Sequence, residues 1–137
     1  RFNKKFNFID ESYNANPFSM LSAIKNINLN YKKNRKLIFL GDMMELGNKS
    51  LKLHRDLAKN INNTNIYKAF VYGNYIKETF NLLSINKKGK AFNNLKEAYG
   101  HFSNILHNND LLMVKGSNAT GLNTFTKNIK KGKTNVI

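Results

Sequence analysis

Short apolar runs alternate along this chain with segments in which apolar residues recur every three or four positions. The first run, residues 6–10, is aromatic and β-branched and ends in polar residues, which predicts a strand. After Pro17, apolar residues recur at helical spacing from Met20 to Ile27, and Asn16 is the predicted N-cap. The chain therefore begins as strand, loop and helix.

The same rhythm continues to the end of the sequence. Further strands are predicted at residues 36–40, 66–72, 90–92 and 110–115. The helices between and after them have apolar faces that begin at Leu51, Ile76, Leu95 and Leu122. Strands that alternate with helices of about three turns indicate parallel pairing, with helices covering both sides of the sheet. The predicted fold is α/β, a Rossmann-like three-layer domain with a mainly parallel sheet.

Length and composition fit one folded domain. The chain has 137 residues, of which 41% are hydrophobic, so it is long enough to bury a core and a wholly disordered chain is excluded. No apolar run approaches the roughly 20 residues that cross a bilayer, and no signal peptide is evident, so we expect a cytosolic protein without membrane insertion. The absence of cysteine excludes disulfides and thiolate sites. Arg1 stands where an initiator Met is expected, which suggests a piece of a longer chain.

The formal net charge of +15 raises the possibility of nucleic-acid binding. That interpretation needs a concentrated basic patch, whereas lysines occur here in every segment, with short clusters at residues 32–36, 87–88 and 130–131. We therefore interpret the charge as a solvated basic surface and expect no nucleic-acid partner.

Ligands of parallel α/β sheets meet the loops at the carboxyl ends of the strands, and the first such loop is rich in polar groups. Carboxylates such as Asp10 and Glu11 can accept hydrogen bonds from ribose hydroxyls. Tyr13 can stack on a base, and the carboxamides of Asn14 and Asn16 can pair with an adenine edge. The loop is thus a candidate nucleotide contact, and a capped helix start is the structural alternative.

The second loop, residues 40–47, places Asp42 and Glu45 between two glycines. Such carboxylates can bind an ammonium group, and a left-handed turn is the structural alternative. No histidine is paired with them, so we predict no dedicated metal site. His54 lies on the apolar stripe of the following helix, and we interpret it as a hydrogen-bonded, half-buried helix residue rather than a catalytic base.

The last strand is followed by Lys115, Ser117 and small residues ahead of a helix. A cation beside backbone amides at a helix start is a candidate anion site, and a tight turn with Lys115 in solvent is the alternative. Near the end, residues 132–134 read Gly-Lys-Thr, but Lys127 stands where a phosphate-binding P-loop requires its first glycine. A nucleotide-using enzyme built with this chain would need its phosphate loop elsewhere.

These motifs together resemble the C-terminal domain of the Mur ligases, and most closely the branch that adds D-alanyl-D-alanine to the cell-wall precursor. The matching segments are residues 10–17, 40–47, 54–55, 110 and 114–117, whose order and spacing agree across nearly the whole chain. The alternatives are the closing domain of another Mur-type or folylpolyglutamate ligase, or a freestanding basic nucleotide- or nucleic-acid-binding module. The segment between Gly41 and Gly47 argues against the other ligases.

The resemblance implies that residues 1–137 are the C-terminal domain of a bacterial, cytoplasmic, ATP-dependent ligase of peptidoglycan synthesis. The N-terminal domain, which holds the UDP-sugar, and the central ATPase domain would be absent from this chain, and Mg²⁺ would be bound mainly by the central domain. The substrates would be ATP, UDP-MurNAc-tripeptide and D-Ala-D-Ala. The tripeptide and the dipeptide would be joined through an acyl phosphate. The isolated domain would be inactive.

The resemblance also implies roles for single residues. Asp10 or Glu11 would contact ribose, and Tyr13, Asn14 and Asn16 would line the adenosine side. The dipeptide would lie near Asp42 and Glu45.

Lys115 and Ser117 are the catalytic candidates, facing the dipeptide carboxylate or the phosphoryl group. The sequence departs from the family pattern at two places. Glu11 replaces the second of two adjacent Asp residues, and Asn118, a further candidate for substrate binding, replaces an Arg. Since Asn118 carries no charge, more of the anion-binding role would fall to Lys115.

Overall fold

The computed structural model describes residues 4–132, which form one parallel sheet between two layers of helices. The strands are β1 (Asn7–Glu11), β2 (Lys36–Gly41), β3 (Lys68–Tyr72), β4 (Lys88–Phe92) and β5 (Leu111–Lys115). The helices are α1 (Pro17–Asn30), α2 (Ser50–Asn62), α3 (Ile76–Asn81), α4 (Leu95–Ile105) and α5 (Leu122–Gly132). The predicted α/β class is confirmed, and every strand pairing in the described sheet is parallel. Of the P-loop-like residues 132–134, the last two lie outside the described range.

The strand order is β1-β5-β2-β3-β4, so the last strand of the chain lies between the first and the second. Helices α1, α2 and α3 pack on one face of the sheet, and α4 and α5 pack on the other. This division follows from the right-handedness of β-α-β crossovers. The chain moves across the sheet in one direction from β1 to β4 and then returns to β5, so the returning helix must cover the opposite face.

The two faces of the sheet carry different cores. Along β2, Ile38 and Leu40 belong to an aliphatic core beneath α1 and α2, while Phe39 points into an aromatic core beneath α4 and α5. The ring centroid of Phe39 lies 5.3 Å from that of Phe102 and 5.0 Å from that of Phe125. A strand buried on both faces is the expected result of the continuous apolar run that predicted it.

Local contacts define where α1 begins and where β5 begins. The side chain of Asn16 accepts a hydrogen bond from the backbone N–H of Ser19 at 2.8 Å, and the Ser19 hydroxyl accepts one from the backbone N–H of Asn16 at 3.1 Å. This capping box confirms the predicted N-cap. At the opposite edge of the sheet, Asp110 binds Arg35 through both carboxylate oxygens, at 2.9 and 2.6 Å. Asp110 is one of the positions that match the Mur ligase pattern, and this ion pair gives it a structural role.

Within residues 4–132, no helix combines the length and apolarity of a membrane-crossing segment.

Candidate functional site

A crevice opens at the carboxyl edge of the sheet because the chain leaves neighbouring strands in opposite directions. After β1 and β2 it continues into α1 and α2 on one face, whereas after β5 it continues into α5 on the other. Loops that diverge in this way leave a gap above the strands between them. Strand β5 has such a neighbour on each side, so residues 116–121 lie between residues 12–16 and residues 42–49.

Ser117 joins the three loops of this crevice. Its hydroxyl accepts a hydrogen bond from the backbone N–H of Met44 at 3.2 Å and donates to the carbonyl of Ala15 at 3.4 Å. Its own backbone N–H donates to the carbonyl of Asp42 at 3.1 Å. One small side chain therefore sets the relative position of the loops that follow β1, β2 and β5.

Lys115 is buried between β1 and β5, with 3% of its side chain exposed. Its ammonium donates to the carboxylate of Glu11 at 2.9 Å and to the backbone carbonyl of Asn14 at 2.9 Å. The structural alternative from the sequence, in which Lys115 reaches solvent, is wrong. The ammonium is already partnered, and it anchors the loop that carries Tyr13 and Asn14.

Asp10 lies on the opposite face of the sheet from Glu11, because successive strand residues alternate between faces. Its carboxylate contacts the ammonium of Lys130 on α5 at 2.7 Å and the hydroxyl of Ser12 at 2.7 Å. Burial alone would raise the pKa of the Asp10 carboxyl, but the hydrogen bonds from Lys130 and Ser12 outweigh burial and lower it below the ordinary value of 3.8. Of the two predicted ribose contacts, Glu11 therefore lies on the face of α1, and Asp10 on the face of α5.

Asp10→Asn is expected to reduce the free energy of unfolding by about 1 kcal/mol at pH 7, because the variant loses an ion pair. The folded-state pKa is depressed, so the carboxylate contributes its full stabilisation above pH about 4 and loses it as the pH falls through the folded-state pKa. Urea unfolding at a series of pH values measures this effect. The control is Asp56→Asn, which removes an exposed pair with Lys52. A difference between the Asp10 variant and the unsubstituted protein that stays constant below pH about 4 would contradict the assignment.

Asp42 is buried, with 6% of the residue exposed. Its Oδ1 atom accepts a hydrogen bond from the backbone N–H of Ile76 at 2.7 Å, at the first residue of α3. Gly73 packs so closely that a Cβ atom added there would lie 2.5 Å from the same oxygen. The carboxylate therefore stabilises the start of α3 through one oxygen.

His54 supports the loop after β2 from below. Its Nε2 atom accepts a hydrogen bond from the backbone N–H of Met43 at 3.0 Å, and its Nδ1 atom lies 2.7 Å from the carbonyl of Ser50, to which it donates. The ring is fully buried, so the half-buried position expected from the sequence is wrong, whereas the expected hydrogen bonding is present. Glu45, farther along the same loop, is exposed and adopts a left-handed backbone conformation with φ of 60°.

The crevice has two lobes that share Met44 and Ala119. The larger lobe has a volume of about 760 Å³. Besides Ala15 and the two shared residues, it is lined by six residues that were candidates from the sequence: Tyr13, Asn14, Asn16, Glu45, Ser117 and Asn118. The smaller lobe, of about 320 Å³, contains Asp42. The other three candidates, Asp10, Glu11 and Lys115, line neither lobe. The structure thus brings six of the ten candidates together around one cavity.

Sequence reasoning missed the polar residues that complete the smaller lobe. They lie at the end of β3, between β3 and α3, in the first turn of α3, directly after β4 and in the turn after β5, and they are Tyr72, Asn74, Lys77, Asn93 and Thr120. None of these five residues was assigned a role from the sequence. The relevant signal was positional, because polar residues directly after parallel strands share one edge of the sheet.

Comparison with known proteins shows the family. The family model described as "Mur ligase, glutamate ligase domain" matches residues 1–118. The chain belongs to this family. Among curated relatives, it is 35% identical over 134 residues to the UDP-N-acetylmuramoyl-tripeptide--D-alanyl-D-alanine ligase of Buchnera aphidicola subsp. Baizongia pistaciae, covering 96% of this chain and 28% of the relative. It is 31% identical over 114 residues to the enzyme of the same name from Rickettsia prowazekii, covering 83% of this chain and 25% of the relative.

Solved structures agree with this assignment. A crystal structure of MurF from Acinetobacter baumannii superposes with a TM-score of 0.73 at 27% identity, covering 96% of this chain and 30% of that one. MurF ligase from Thermotoga maritima, solved in complex with ADP, shares the fold with a TM-score of 0.73 at 20% identity, covering 94% of this chain and 30% of that one. The chain therefore spans less than a third of the length of these relatives.

Proposed function

We propose that residues 1–137 are the C-terminal domain of an ATP-dependent ligase that joins D-Ala-D-Ala to UDP-MurNAc-tripeptide in the bacterial cytoplasm. An N-terminal domain would hold the UDP-sugar, and a central domain would hold the ATP phosphates and Mg²⁺. The observation that carries the proposal is the crevice at β5, where loops from three strands are joined by Ser117. The names of the two curated relatives described above, both UDP-N-acetylmuramoyl-tripeptide--D-alanyl-D-alanine ligases, support the choice of substrate.

In the proposed reaction, ATP transfers its terminal phosphoryl group to the carboxylate of the tripeptide and leaves as ADP. The amine of the dipeptide, after losing a proton from its ammonium form, attacks the carbonyl carbon of the acyl phosphate. The new C–N bond forms, the C–O bond to the phosphoryl group breaks, and phosphate departs. This domain contributes by binding and orienting reactants when it closes over the central domain.

The larger lobe fits the adenosine side of the nucleotide. Tyr13 is 65% exposed, and its ring is available to stack on a base. The side chain of Asn14 is also exposed at this lobe, whereas the Oδ1 atom of Asn16 is engaged as the cap of α1. Both ribose candidates bind a lysine, but Glu11 is the better placed, because 35% of its side chain is exposed on the face of α1, whereas Asp10 is 16% exposed and faces α5. Within residues 4–132 the structure contains no cluster of three His, Asp or Glu side chains that could hold a metal ion.

Lys115 and Ser117 act in this proposal mainly by position. Lys115 holds the first loop through Asn14, and Ser117 holds the first and second loops against the third. A direct contact of Lys115 with the dipeptide or phosphoryl group would require its ammonium to leave Glu11. We therefore propose that both residues preorganise the crevice in the closed enzyme.

The full-length enzyme is expected to release phosphate from ATP only when both the UDP-MurNAc-tripeptide and D-Ala-D-Ala are present. A coupled phosphate assay measures the rate, and mass spectrometry of the product identifies the new amide. Omitting each substrate in turn gives the controls, and L-Ala-L-Ala tests whether the stereochemistry matters. Phosphate release that does not depend on the dipeptide, or a product with a single added amino acid, would contradict the proposal.

A further inference from the structure

The smaller lobe of the crevice contains two opposite charges that do not pair with each other. Asp42 and Lys77 both line it, but they form no ion pair or hydrogen bond with one another. The Oδ1 atom of Asp42 is engaged by the backbone N–H of Ile76, and its Oδ2 atom has no hydrogen-bond partner within residues 4–132. This oxygen belongs to a residue that is only 6% exposed, where an unsatisfied carboxylate oxygen is costly.

The ammonium of Lys77 likewise has no hydrogen-bond or ion-pair partner in the described part of the chain. Lys77 is the second residue of α3, and a cation in the first turn of a helix interacts unfavourably with the helix dipole. The stability of α3 therefore does not explain why a lysine occupies this position. Among the residues that the structure describes, it is also the only cation that lines either lobe.

We propose that the smaller lobe binds the dipeptide as a zwitterion, with Lys77 as the residue that binds its carboxylate. The inference rests on the proposed function and extends it by naming a residue that determines substrate specificity. A carboxylate and an ammonium that line one cavity without pairing match the two charged ends of an amino acid or a short peptide. The carboxamides of Asn74 and Asn93 line the same lobe and supply further donors for the carboxylate.

The geometry of the two lobes sets the direction of the dipeptide. Met44 and Ala119 line both lobes and so lie where the lobes meet, whereas Lys77 lines only the smaller lobe. The amine has to reach the acyl phosphate, which the proposed function places beside the nucleotide lobe. The carboxylate end therefore extends away from that lobe, toward Lys77. Two residues span at most roughly 7 Å, which fits within a lobe of about 320 Å³.

This assignment differs from the one that the family pattern suggests. That pattern gave the dipeptide carboxylate to Lys115, because Asn118 cannot supply a charge. Lys115 already binds Glu11 and the carbonyl of Asn14, whereas Lys77 is unpartnered. Lys77 is half-buried, so substitution there removes a charge without opening the core.

The test compares D-Ala-D-Ala with its C-terminal amide, which lacks the negative charge, as substrates of the full-length enzyme. The unsubstituted enzyme is expected to prefer the acid by about 10- to 100-fold in kcat/KM, the range typical of a charge-assisted hydrogen bond. Lys77→Met should remove this preference by raising KM for the acid about 10- to 100-fold, with kcat changed little and the amide unaffected. Lys77→Arg, which keeps the charge, should retain most of the preference.

Lys25→Met is the matched control, because Lys25 is an exposed helix lysine outside both lobes. A Lys77→Met enzyme that still prefers the acid by the original factor would overturn the inference and leave the proposed function intact. An equal rise of KM for acid and amide would also overturn it, since the effect would then not involve the carboxylate. An unsubstituted enzyme without dipeptide-dependent phosphate release would instead remove the proposed function, and this inference with it.

Discussion

In the full-length enzyme, Lys115→Ala is expected to lower dipeptide-dependent phosphate release by about 100-fold or more. The substitution removes a buried ammonium and leaves the carboxylate of Glu11 and the carbonyl of Asn14 without their donor. The two charge-assisted hydrogen bonds that are lost contribute about 1.5 to 3 kcal/mol each, since the side chain of Glu11 is 35% exposed and can be solvated. Each 1.4 kcal/mol of lost transition-state stabilisation lowers the rate about tenfold. Because Lys115 holds the first loop of the crevice through the carbonyl of Asn14, we expect its loss to displace this loop and so to lower activity as well as stability.

Steady-state kinetics at a temperature well below the unfolding midpoint of each variant measures the effect. Lys127→Ala, at an exposed position of α5, is the control for the loss of one positive charge. The double variant Lys115→Ala with Glu11→Gln leaves no unpaired carboxylate. Its fall in activity should therefore be smaller than the product of the falls measured for the two single variants. Turnover that Lys115→Ala does not change would remove this residue from the site.

Gly73→Ala is expected to lower the free energy of unfolding by about 3 kcal/mol or more. Gly73 has φ of 141°, a conformation that residues with a side chain rarely adopt. The added methyl carbon would also lie 2.5 Å from the Oδ1 atom of Asp42, the atom that binds the start of α3. The substitution therefore combines backbone strain with the loss of a buried hydrogen bond.

Urea denaturation, with the midpoint and slope compared between proteins, measures this loss. Gly100→Ala is the matched control, because Gly100 lies inside α4 and a Cβ atom there would meet no atom within 4 Å. That substitution should stabilise the protein by up to about 1 kcal/mol, since alanine favours the helix. Equal and small effects at the two glycines would show that the close approach of Gly73 to Asp42 is not a constraint.

The arrangement of elements along the chain was predictable, but the order of strands in the sheet was not. Apolar runs such as residues 36–40 and helical spacing such as that after Pro17 are local signals, and both predictions are confirmed. Pairing of β5 between β1 and β2 joins segments that are far apart in the sequence, and no local pattern encodes it. The sequence therefore identified the loops of the crevice without showing which of them are neighbours.

The candidate site was predictable in residue type more than in role. Asp10 and Glu11 are adjacent in sequence and were given one role, yet they lie on opposite faces of the sheet with different partners. The alternation of strand side chains could have separated them. The partners of Lys115 could not be predicted, because Glu11 lies more than 100 residues away in the chain. Lys77 was missed because an isolated lysine on a short helix resembles any solvated charge.

The position of β5 between β1 and β2 has a consequence for biosynthesis. A ribosome makes the chain from its amino terminus, so β1 and β2 emerge long before the strand that separates them. Until residues 111–115 are available, β1 lacks the strand with which it pairs in the described sheet, and one edge of β2 offers unpaired backbone groups. Such edges can pair with other chains, which makes partly synthesised forms prone to association. A chain shortened before β5 would lack the strand that joins β1 to β2, whereas one shortened within α5 would keep all five strands of the described sheet.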